Sequence, residues 1–260
     1  MSAESAAEAL ARLYDLDLSE DPGDLDLYLA LAGRTGGPIL ELAVGSGRLA
    51  VPLAISGLAV TGVDLDPAML ARARAAADAA GPTVARRVRL VQDDARTVRL
   101  PDAGDYRLAV IPLNSIFLMG TRRDQANAVA TLAAHLAPGG LAVVDAWLPD
   151  ADDLARYDGR LVLEWVREAP GTGHTVIKTG SAVYDPGSSM VRLTTVFEAG
   201  APGEPAVRWV RVDMLHLVGP DELLGFAEAA GLVVEAMAGD YGLGPLELGA
   251  DRAVMVARRP

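Results

Sequence analysis

The sequence predicts an α/β protein with a doubly wound parallel sheet, and three observations support this fold class. Between residues 36 and 145, short apolar runs alternate with longer segments rich in Ala and Leu, which is typical of strands separated by helices. A Gly-Ser-Gly turn follows the first apolar run, where a strand would pass into a helix. Beyond residue 148, four strand-like runs follow one another through turns rich in Gly and Pro, so we expect an antiparallel insertion after the fifth strand.

The individual elements of the alternating region can be assigned from their apolar patterns. The predicted strands are "PILELA", "LAVTGVD", "RVRLVQ", "YRLAVIP" and "GGLAVVDAW", and the predicted helices are "GRLAVPLAIS", "DPAMLARARAAADAA" and "RDQANAVATLAAHLA". In the second of these helices, Asp66 suits the N-cap and Pro67 the first helical position. Strands that alternate with helices in this way predict parallel pairing.

The second half of the chain lacks this alternation. The predicted insertion, at about residues 155–217, contains the strands "LVLEWVRE", "HTVIKTGSAVY", "SMVRLTTVFEA" and "AVRWVRVDMLHLV". A helix, "PDELLGFAEAAG", follows with Gly231 at its C′ position, and "LVVEAMA" and "RAVMVARR" are the closing strands. We therefore expect one domain at residues 38–260 that carries the insertion, preceded by two amphipathic helical segments in residues 1–37.

Composition excludes several classes of protein. The 260 residues are 51% hydrophobic, which is enough for one substantial core, and the absence of cysteine excludes disulfides and thiolate metal sites. We expect a cytoplasmic protein with no metal centre, because no apolar run is long enough for a membrane span and the acidic N-terminus does not resemble a secretory signal. The net charge of −12 and the scattered arginines argue against nucleic acid as a partner.

The Gly-Ser-Gly turn indicates a ligand site at the carboxyl end of the sheet. Asp64 ends the second predicted strand, where a carboxylate could bind the hydroxyls of a ribose. Two ligands fit the turn. "GSGRLA" has the spacing of the dinucleotide fingerprint, but Glu41 stands just before the turn, where it would repel a pyrophosphate and suit a ligand that carries an ammonium and a sulfonium.

Five motifs in register favour the second ligand. "LELAVGSGR", "VTGVDLDPAML", "VRLVQDDA", "YRLAVIPLNS" and "HLAPGGLAVVD" resemble, in this order, the motifs of class I S-adenosylmethionine-dependent methyltransferases. The insertion and the ending "GDYGLGP…RAVMVARR" are most similar to small-molecule members of the sugar and glycine N-methyltransferase type. The resemblance implies a Rossmann-like sheet of seven strands and S-adenosyl-L-methionine as the cofactor.

The resemblance also implies roles for residues around the turn. Glu41 would lie near the methionine end of the cofactor, and Gly45 and Gly47 would be the turn glycines. Ala43 stands where the family commonly has another Gly, and alanine is tolerable there if its φ is negative. Asp64 would accept hydrogen bonds from the two ribose hydroxyls, although it could instead be a solvated strand end.

The remaining cofactor residues follow from the next motifs. Leu65 and Met69 would flank the adenine, and Asp94 with the Ala95 N–H would read its amino group and N1, unless Asp94 is simply a loop acid. Pro112 would contact the methionine amino group through its backbone.

In related small-molecule methyltransferases an N-terminal segment closes over the cofactor and contributes a tyrosine. Residues 1–37 are accordingly expected to form a helical lid that brings Tyr14 and Tyr28 to the cofactor. The alternative is a helix packed on the sheet edge.

Candidates for the acceptor side are fewer. Asn114 could orient the acceptor, or be a turn residue, and His216 is the histidine best suited to act as a general base. Phe117, Trp147 and Tyr241 would surround the acceptor cavity, with core packing as the alternative for each.

These features predict methyl transfer by in-line SN2 attack to a small molecule, with an amine of a bacterial secondary metabolite preferred. O- or C-methyl transfer is the alternative, and an NAD-dependent oxidoreductase or a non-catalytic S-adenosylmethionine-binding module ranks lower. The expected partner is a small-molecule substrate, without nucleic acid or membrane. The insertion is expected either to cover the pocket or to build a homodimer.

Overall fold

The computed structural model describes residues 4–20, 22–170, 172–201, 203 and 205–260. The chain divides into two compact units. The smaller unit consists of Met1–Glu20 with Pro149–Leu217, and the larger unit consists of Asp21–Leu148 with Val218–Pro260. No helix in the described part of the chain is both long and apolar enough to cross a membrane.

Strands and helices alternate through the first half of the chain, and strands predominate in the second half. The strands are β1 Ile39–Leu42, β2 Val60–Asp64, β3 Val88–Gln92, β4 Tyr106–Ile111, β5 Leu136–Trp147, β6 Val162–Glu168, β7 Thr175–Asp185, β8 Met190–Gly200, β9 Val207–His216, β10 Val233–Ala238 and β11 Arg252–Arg258. The α-helices are α1 Ala6–Asp17, α2 Leu25–Thr35, α3 Ala50–Ile55, α4 Pro67–Ala79, α5 Pro82–Ala85, α6 Arg122–His135, α7 Ala151–Arg156 and α8 Pro220–Ala229. A 3-10 helix spans Ser115–Met119.

The larger unit contains the seven-stranded sheet that the sequence predicts. Its strand order is β10-β11-β5-β4-β1-β2-β3. The pairs from β5 to β3 are parallel, whereas β11 pairs antiparallel with both β5 and β10. The chain reverses its direction of progress across the sheet between β1 and β4, and such a switch point opens a crevice at the carboxyl ends of the strands. The doubly wound fold is confirmed.

Local signals explain where several helices begin and end. The Asp66 side chain accepts a hydrogen bond from the Ala68 N–H at 2.8 Å, and Pro67 opens α4, as predicted. Gly231 has a φ of +76° just after α8, which confirms its C′ position. The short helices α5 and α7 were not predicted, although a capping box between Asp150 and Asp153 marks the start of α7.

The core of the larger unit lies on both faces of its central strands. All four residues of β1 are buried, as expected for a parallel strand covered by helices on both sides. Leu31 of α2 and Leu53 of α3 belong to the same cluster of buried residues as Ile39 of β1. This packing holds the carboxyl ends of the strands in a fixed arrangement.

The smaller unit is an antiparallel sheet in the order β6-β7-β8-β9, so the predicted insertion after β5 is confirmed. Leu13 of α1 is buried in a cluster with Val176 and Phe197 of this sheet. The Asp17 carboxylate accepts hydrogen bonds from Trp165 Nε1 at 2.8 Å and Lys178 Nζ at 2.6 Å. Of the two helices expected within residues 1–37, α1 thus belongs to the smaller unit and α2 to the larger, and a lid formed by both stays a prediction.

Candidate functional site

The turn after β1 has an unusual backbone. Gly45 and Gly47 have φ values of +53° and +84°, which glycine adopts without penalty. Ala43 has a φ of +60°, so the condition under which alanine was expected to be tolerable here is not met. The backbone is left-handed at residue 43, where the chain leaves the buried end of β1. This conformation costs an alanine about 1–2 kcal/mol relative to its preferred conformations.

Gly62 allows this turn to lie close to β2. A Cβ atom built at Gly62 would stand 2.6 Å from Cγ2 of Val44, nearer than real Cβ contacts allow. The Val44 N–H donates to the Val63 carbonyl at 3.0 Å, which extends the strand pairing into the turn. The "VTGVD" sequence of β2 therefore suits both the close approach and the placement of Asp64 at the strand end.

The Asp64 carboxylate connects β2 to the turn. One oxygen accepts a hydrogen bond from the Gly45 N–H at 2.8 Å, and the other accepts from the Asp66 N–H at 2.9 Å. Burial raises the pKa of Asp64, and these two backbone donors oppose the increase. The carboxyl group is only partly buried. Since a carboxylate oxygen accepts more than one hydrogen bond, both oxygens keep capacity for a ligand.

Glu41 is buried in the centre of β1, with 2% of its surface exposed. Its Oε2 atom has no hydrogen-bond partner among the described residues. Burial raises the pKa of Glu41 to about 8, against the lowering effect of Arg48. Arg48 itself forms a bidentate pair with the buried Asp24, with both nitrogen–oxygen distances at 2.6 Å.

The residues predicted to surround an adenine lie after β2 and β3. Leu65 is 59% exposed, whereas Met69 is buried in α4. Asp94 accepts hydrogen bonds from Arg96 Nε at 2.8 Å and Nη2 at 2.6 Å, and this pairing lowers its pKa. An adenine amino group would share the Asp94 carboxylate with Arg96. Ala95 is buried, and no hydrogen-bond partner for its N–H occurs in the described part of the chain.

Two hydrogen bonds connect the turn after β4 to β5. Leu113 and Asn114 have φ values of +50° and +61°, a costly conformation for two consecutive residues with side chains. The Leu113 N–H donates to Asp145 Oδ1 at 2.7 Å, and the Trp147 N–H donates to Asn114 Oδ1 at 2.6 Å. Because Asn114 Oδ1 is the acceptor, its Nδ2 is a donor at this edge. The Pro112 carbonyl, predicted to face the cofactor, accepts from the Ser115 N–H at 3.1 Å.

Asp145 is a residue that the sequence did not reveal as part of the site. It is fully buried at the end of β5, and burial raises its pKa against four donors. Besides the Leu113 N–H, these are the Tyr28 hydroxyl at 2.8 Å, the Tyr241 hydroxyl at 2.8 Å and Arg252 Nη1 at 2.9 Å. The available signal was an acid in the apolar run "LAVVDAW", which needs several donors to be stable there.

The aromatic residues predicted at the site differ in their surroundings from one another. Tyr28 is fully buried and its hydroxyl donates to Asp145, and its place beside the cofactor stays a prediction. Tyr241 also donates to Asp145, and Arg252 stacks 4.1 Å above its ring. Phe117 is buried in the 3-10 helix.

Two predicted site residues belong to the other unit. Tyr14 is part of α1, and His216 is the buried last residue of β9, both in the smaller unit. The larger unit alone thus brings together the predicted residues at the ends of β1, β2, β4 and β5. The cofactor, acceptor and base roles of all these residues stay predictions.

The fold and this edge define a Rossmann-like domain with a glycine turn between the first strand and helix, a buried acid before the turn and a second acid at the end of β2. Residues 39–140 match the family model of the methyltransferase domain. Residues 39–140 are thus similar to the methyltransferase domain family, in agreement with the resemblance seen in the sequence.

Similar curated proteins match about half of the chain. A dTDP-3-amino-3,4,6-trideoxy-alpha-D-glucopyranose N,N-dimethyltransferase from Streptomyces venezuelae is 30% identical over 155 residues, which cover 54% of this chain and 62% of that protein. The putative methyltransferase YqeM of Bacillus subtilis is 29% identical over 143 residues, 53% of this chain and 54% of its own length. The chain therefore matches less than two thirds of either relative.

Solved structures resemble the chain over nearly its whole length. The CcbJ methyltransferase from Streptomyces caelestis has a TM-score of 0.81 at 23% identity, with coverage of 100% of this chain and 99% of that one. Streptomyces venezuelae DesVI has a TM-score of 0.74 at 25% identity, with coverage of 95% and 97%. At this level of identity, the agreement with CcbJ shows a shared fold.

Proposed function

We propose that the protein transfers a methyl group from S-adenosyl-L-methionine to an amine of a small molecule, and that the acceptor belongs to bacterial secondary metabolism. The observation that carries this proposal is the convergence of Glu41, the Gly45 turn and Asp64 at one edge of a sheet within a methyltransferase domain. The amine acceptor is supported by the dimethyltransferase relative, whose name gives an amino sugar as its substrate.

The described residues fit the cofactor. Gly62 lets the turn lie against β2, the left-handed Gly45 and Gly47 suit a backbone that a ligand approaches closely, and the partly exposed Asp64 keeps acceptor capacity for two ribose hydroxyls. The buried Oε2 of Glu41 lacks a hydrogen-bond partner among the described residues, and a ligand ammonium would supply one.

The charge at this edge also suits a cationic ligand. Asp24, Glu41 and Asp145 are each at most 2% exposed, and they face Arg48 and Arg252. An excess of buried acid over base favours a ligand with an ammonium and a sulfonium, and it disfavours the pyrophosphate of a dinucleotide. The buried charges therefore support a methyltransferase over the oxidoreductase alternative.

S-adenosyl-L-methionine supplies an electrophilic methyl group when it is bound, so the protein has mainly to bind and orient the acceptor and exclude water. At the β4–β5 end, Asn114 Nδ2 would donate to an oxygen of the acceptor. Both Asp145 oxygens are already hydrogen-bonded, so Asp145 is a poor general base. A neutral amine needs no strong base for attack, which favours nitrogen over a hydroxyl oxygen as the nucleophile.

The test combines binding and turnover. Calorimetry with S-adenosylhomocysteine should show binding, whereas NAD should not bind. The purified protein is then supplied with S-adenosylmethionine and a panel of amino sugars, free and linked to nucleoside diphosphates, each paired with the analogue that has a hydroxyl in place of the amine.

We expect methylated product by mass spectrometry from an amino sugar and none from its hydroxyl analogue. Transfer to the hydroxyl analogue alone would favour an O-methyltransferase. Binding of S-adenosylhomocysteine with no transfer to any member would favour a non-catalytic binding module, and binding of NAD alone would contradict the proposal.

A further inference from the structure

The buried charges at the carboxyl edge of the larger unit do not balance. Three acids of the described chain, Asp24, Glu41 and Asp145, are essentially inaccessible to water. The basic groups that pair with them are Arg48 and Arg252. An uncompensated charge in a protein interior is costly, so one of the three carboxyl groups is expected to be neutral while no ligand is bound.

Two of the three acids have strong hydrogen-bond donors. Asp24 accepts both arms of the Arg48 guanidinium at 2.6 Å. Asp145 accepts four hydrogen bonds, from two hydroxyls, one backbone N–H and Arg252. Donors that converge on both oxygens stabilise the charged form of a carboxyl group.

Glu41 has different surroundings. Its neighbours in register are Gly62 of β2 and Val110 of β4, which bring no polar side chain. The charged groups that act on its pKa are Arg48, Asp24 and Asp64, and the backbone of Ala50 at the start of α3 lowers this pKa slightly. Arg48 is already engaged by Asp24, and the second Glu41 oxygen is without a partner among the described residues. An unpaired neutral hydroxyl is much less costly to bury than an unpaired ionised oxygen.

We propose that Glu41 is protonated in the ligand-free protein and releases its proton to solvent when a ligand ammonium binds beside the glycine turn. The Glu41 O–H bond breaks, its electron pair stays on the carboxylate, and the new negative charge pairs with the ligand cation. This inference rests on the proposed function, because it takes the amino acid part of S-adenosylmethionine as the source of the cation.

The proton release makes binding depend on pH in a defined direction. The Glu41 pKa of about 8 means that a proton must be removed for binding at lower pH, so affinity should rise from pH 6 towards pH 8. The limiting slope is about tenfold in Kd per pH unit, and the dependence should level off above about pH 8.

Calorimetry of the full chain with S-adenosylhomocysteine tests this inference. Titrations at pH 7 in two buffers of different ionisation enthalpy give the number of protons released on binding. We expect about one proton per ligand for the wild-type protein, since a group with a pKa of about 8 is mostly protonated at pH 7.

Two controls isolate Glu41. Glu41→Gln should bind S-adenosylhomocysteine without releasing this proton and with a flat pH dependence, because its side chain is uncharged in both states. The second control is 5′-methylthioadenosine, which has the same thioether nucleoside but no ammonium. It should bind both proteins without proton release, and its binding to Glu41→Gln reports that the variant is folded.

The outcomes are distinguishable. Binding of S-adenosylhomocysteine by the wild-type protein without proton release, or equal release by Glu41→Gln, would overturn the inference and leave the proposed function standing. A wild-type protein that binds neither S-adenosylhomocysteine nor 5′-methylthioadenosine would contradict the proposed function, and the inference would fall with it.

Discussion

Two carboxylates at the carboxyl edge of the sheet each accept a hydrogen bond from a backbone N–H in the turn after a neighbouring strand. Asp64 ends β2 and accepts the N–H of Gly45 in the turn after β1, at 2.8 Å. Asp145 lies near the end of β5 and accepts the N–H of Leu113 in the turn after β4, at 2.7 Å. Each acid thus fixes a left-handed turn that follows a neighbouring strand.

Their surroundings differ in one respect that decides what they can do. Asp64 is partly exposed, and backbone N–H groups are its hydrogen-bond donors, so it can still accept bonds from a ligand. Asp145 is inaccessible and is surrounded by two hydroxyls, an N–H and Arg252. A partly exposed, open acid such as Asp64 can bind a ligand. A buried acid whose oxygens are already hydrogen-bonded, such as Asp145, instead holds the groups around it in position.

The largest expected difference between the two acids is in stability. Asp145→Ala should lower the free energy of unfolding by about 3–5 kcal/mol, because Arg252 and two tyrosine hydroxyls would lose a buried partner. Asp64→Ala should cost about 1 kcal/mol, since water can replace the carboxylate. Urea denaturation of both variants measures this, and equal losses would show that the contrast between the two sites is wrong.

A third buried acid at this edge, Glu41, makes the stability of the protein depend on pH. Its folded-state pKa of about 8 lies above the ordinary value of 4.5, so the folded protein binds more protons than the unfolded chain between these pH values. The Glu41 contribution to stability therefore falls as pH rises from about 5 to 8, by a few kcal/mol in total.

Denaturation of the wild-type protein and Glu41→Gln across this pH range isolates the effect. The difference in unfolding free energy should shift in favour of Glu41→Gln as pH rises. A difference that does not change with pH would mean that Glu41 is ionised in the folded protein.

Cofactor affinity should depend on the open acid. Asp64→Ala is expected to weaken S-adenosylhomocysteine binding by about 1–3 kcal/mol, the scale of hydrogen bonds to a charged group. Asp66→Ala is the matched control, because Asp66 caps α4 and its loss should lower stability by about 1 kcal/mol with little change in Kd. Unchanged affinity in Asp64→Ala would remove the ribose assignment.

The smallest effect concerns the left-handed residue of the β1 turn. Ala43→Gly should raise the free energy of unfolding by about 0.5–1 kcal/mol, since glycine adopts a φ of +60° without steric penalty but loses more entropy on folding. Thermal denaturation measures the change. As a control, Ala109→Gly in β4 should be destabilising, and a loss of stability in Ala43→Gly would show that the strain at Ala43 is negligible.

The contrast between the two acids also explains what could be predicted from sequence. The alternation of strands and helices and the glycine turn placed Asp64 and Glu41 correctly in their strands beside the turn, because these signals are local. Asp145 was missed since its side-chain partners Tyr28, Arg252 and Tyr241 lie 117, 107 and 96 residues away. Contacts between residues so far apart in the chain leave no local pattern in a single sequence.

Two further features depend on tertiary packing that the sequence does not show. The sign of φ at Ala43 depends on how β1 leaves the sheet, and propensity alone favours a negative value for alanine. The amphipathic pattern around Tyr28 does not show that its hydroxyl donates to the buried carboxylate of Asp145. In both cases the outcome depends on contacts between residues that are distant in the sequence.

The connections of Asp145 have a consequence for synthesis on the ribosome. Tyr28 and the first five strands are made early, yet the guanidinium that neutralises Asp145 comes from Arg252 in the last strand of the sheet. Until that strand emerges, the nascent chain holds an acid in an apolar strand without its counterion. The β4–β5 end of the edge should therefore be the last part of the larger unit to become ordered during translation.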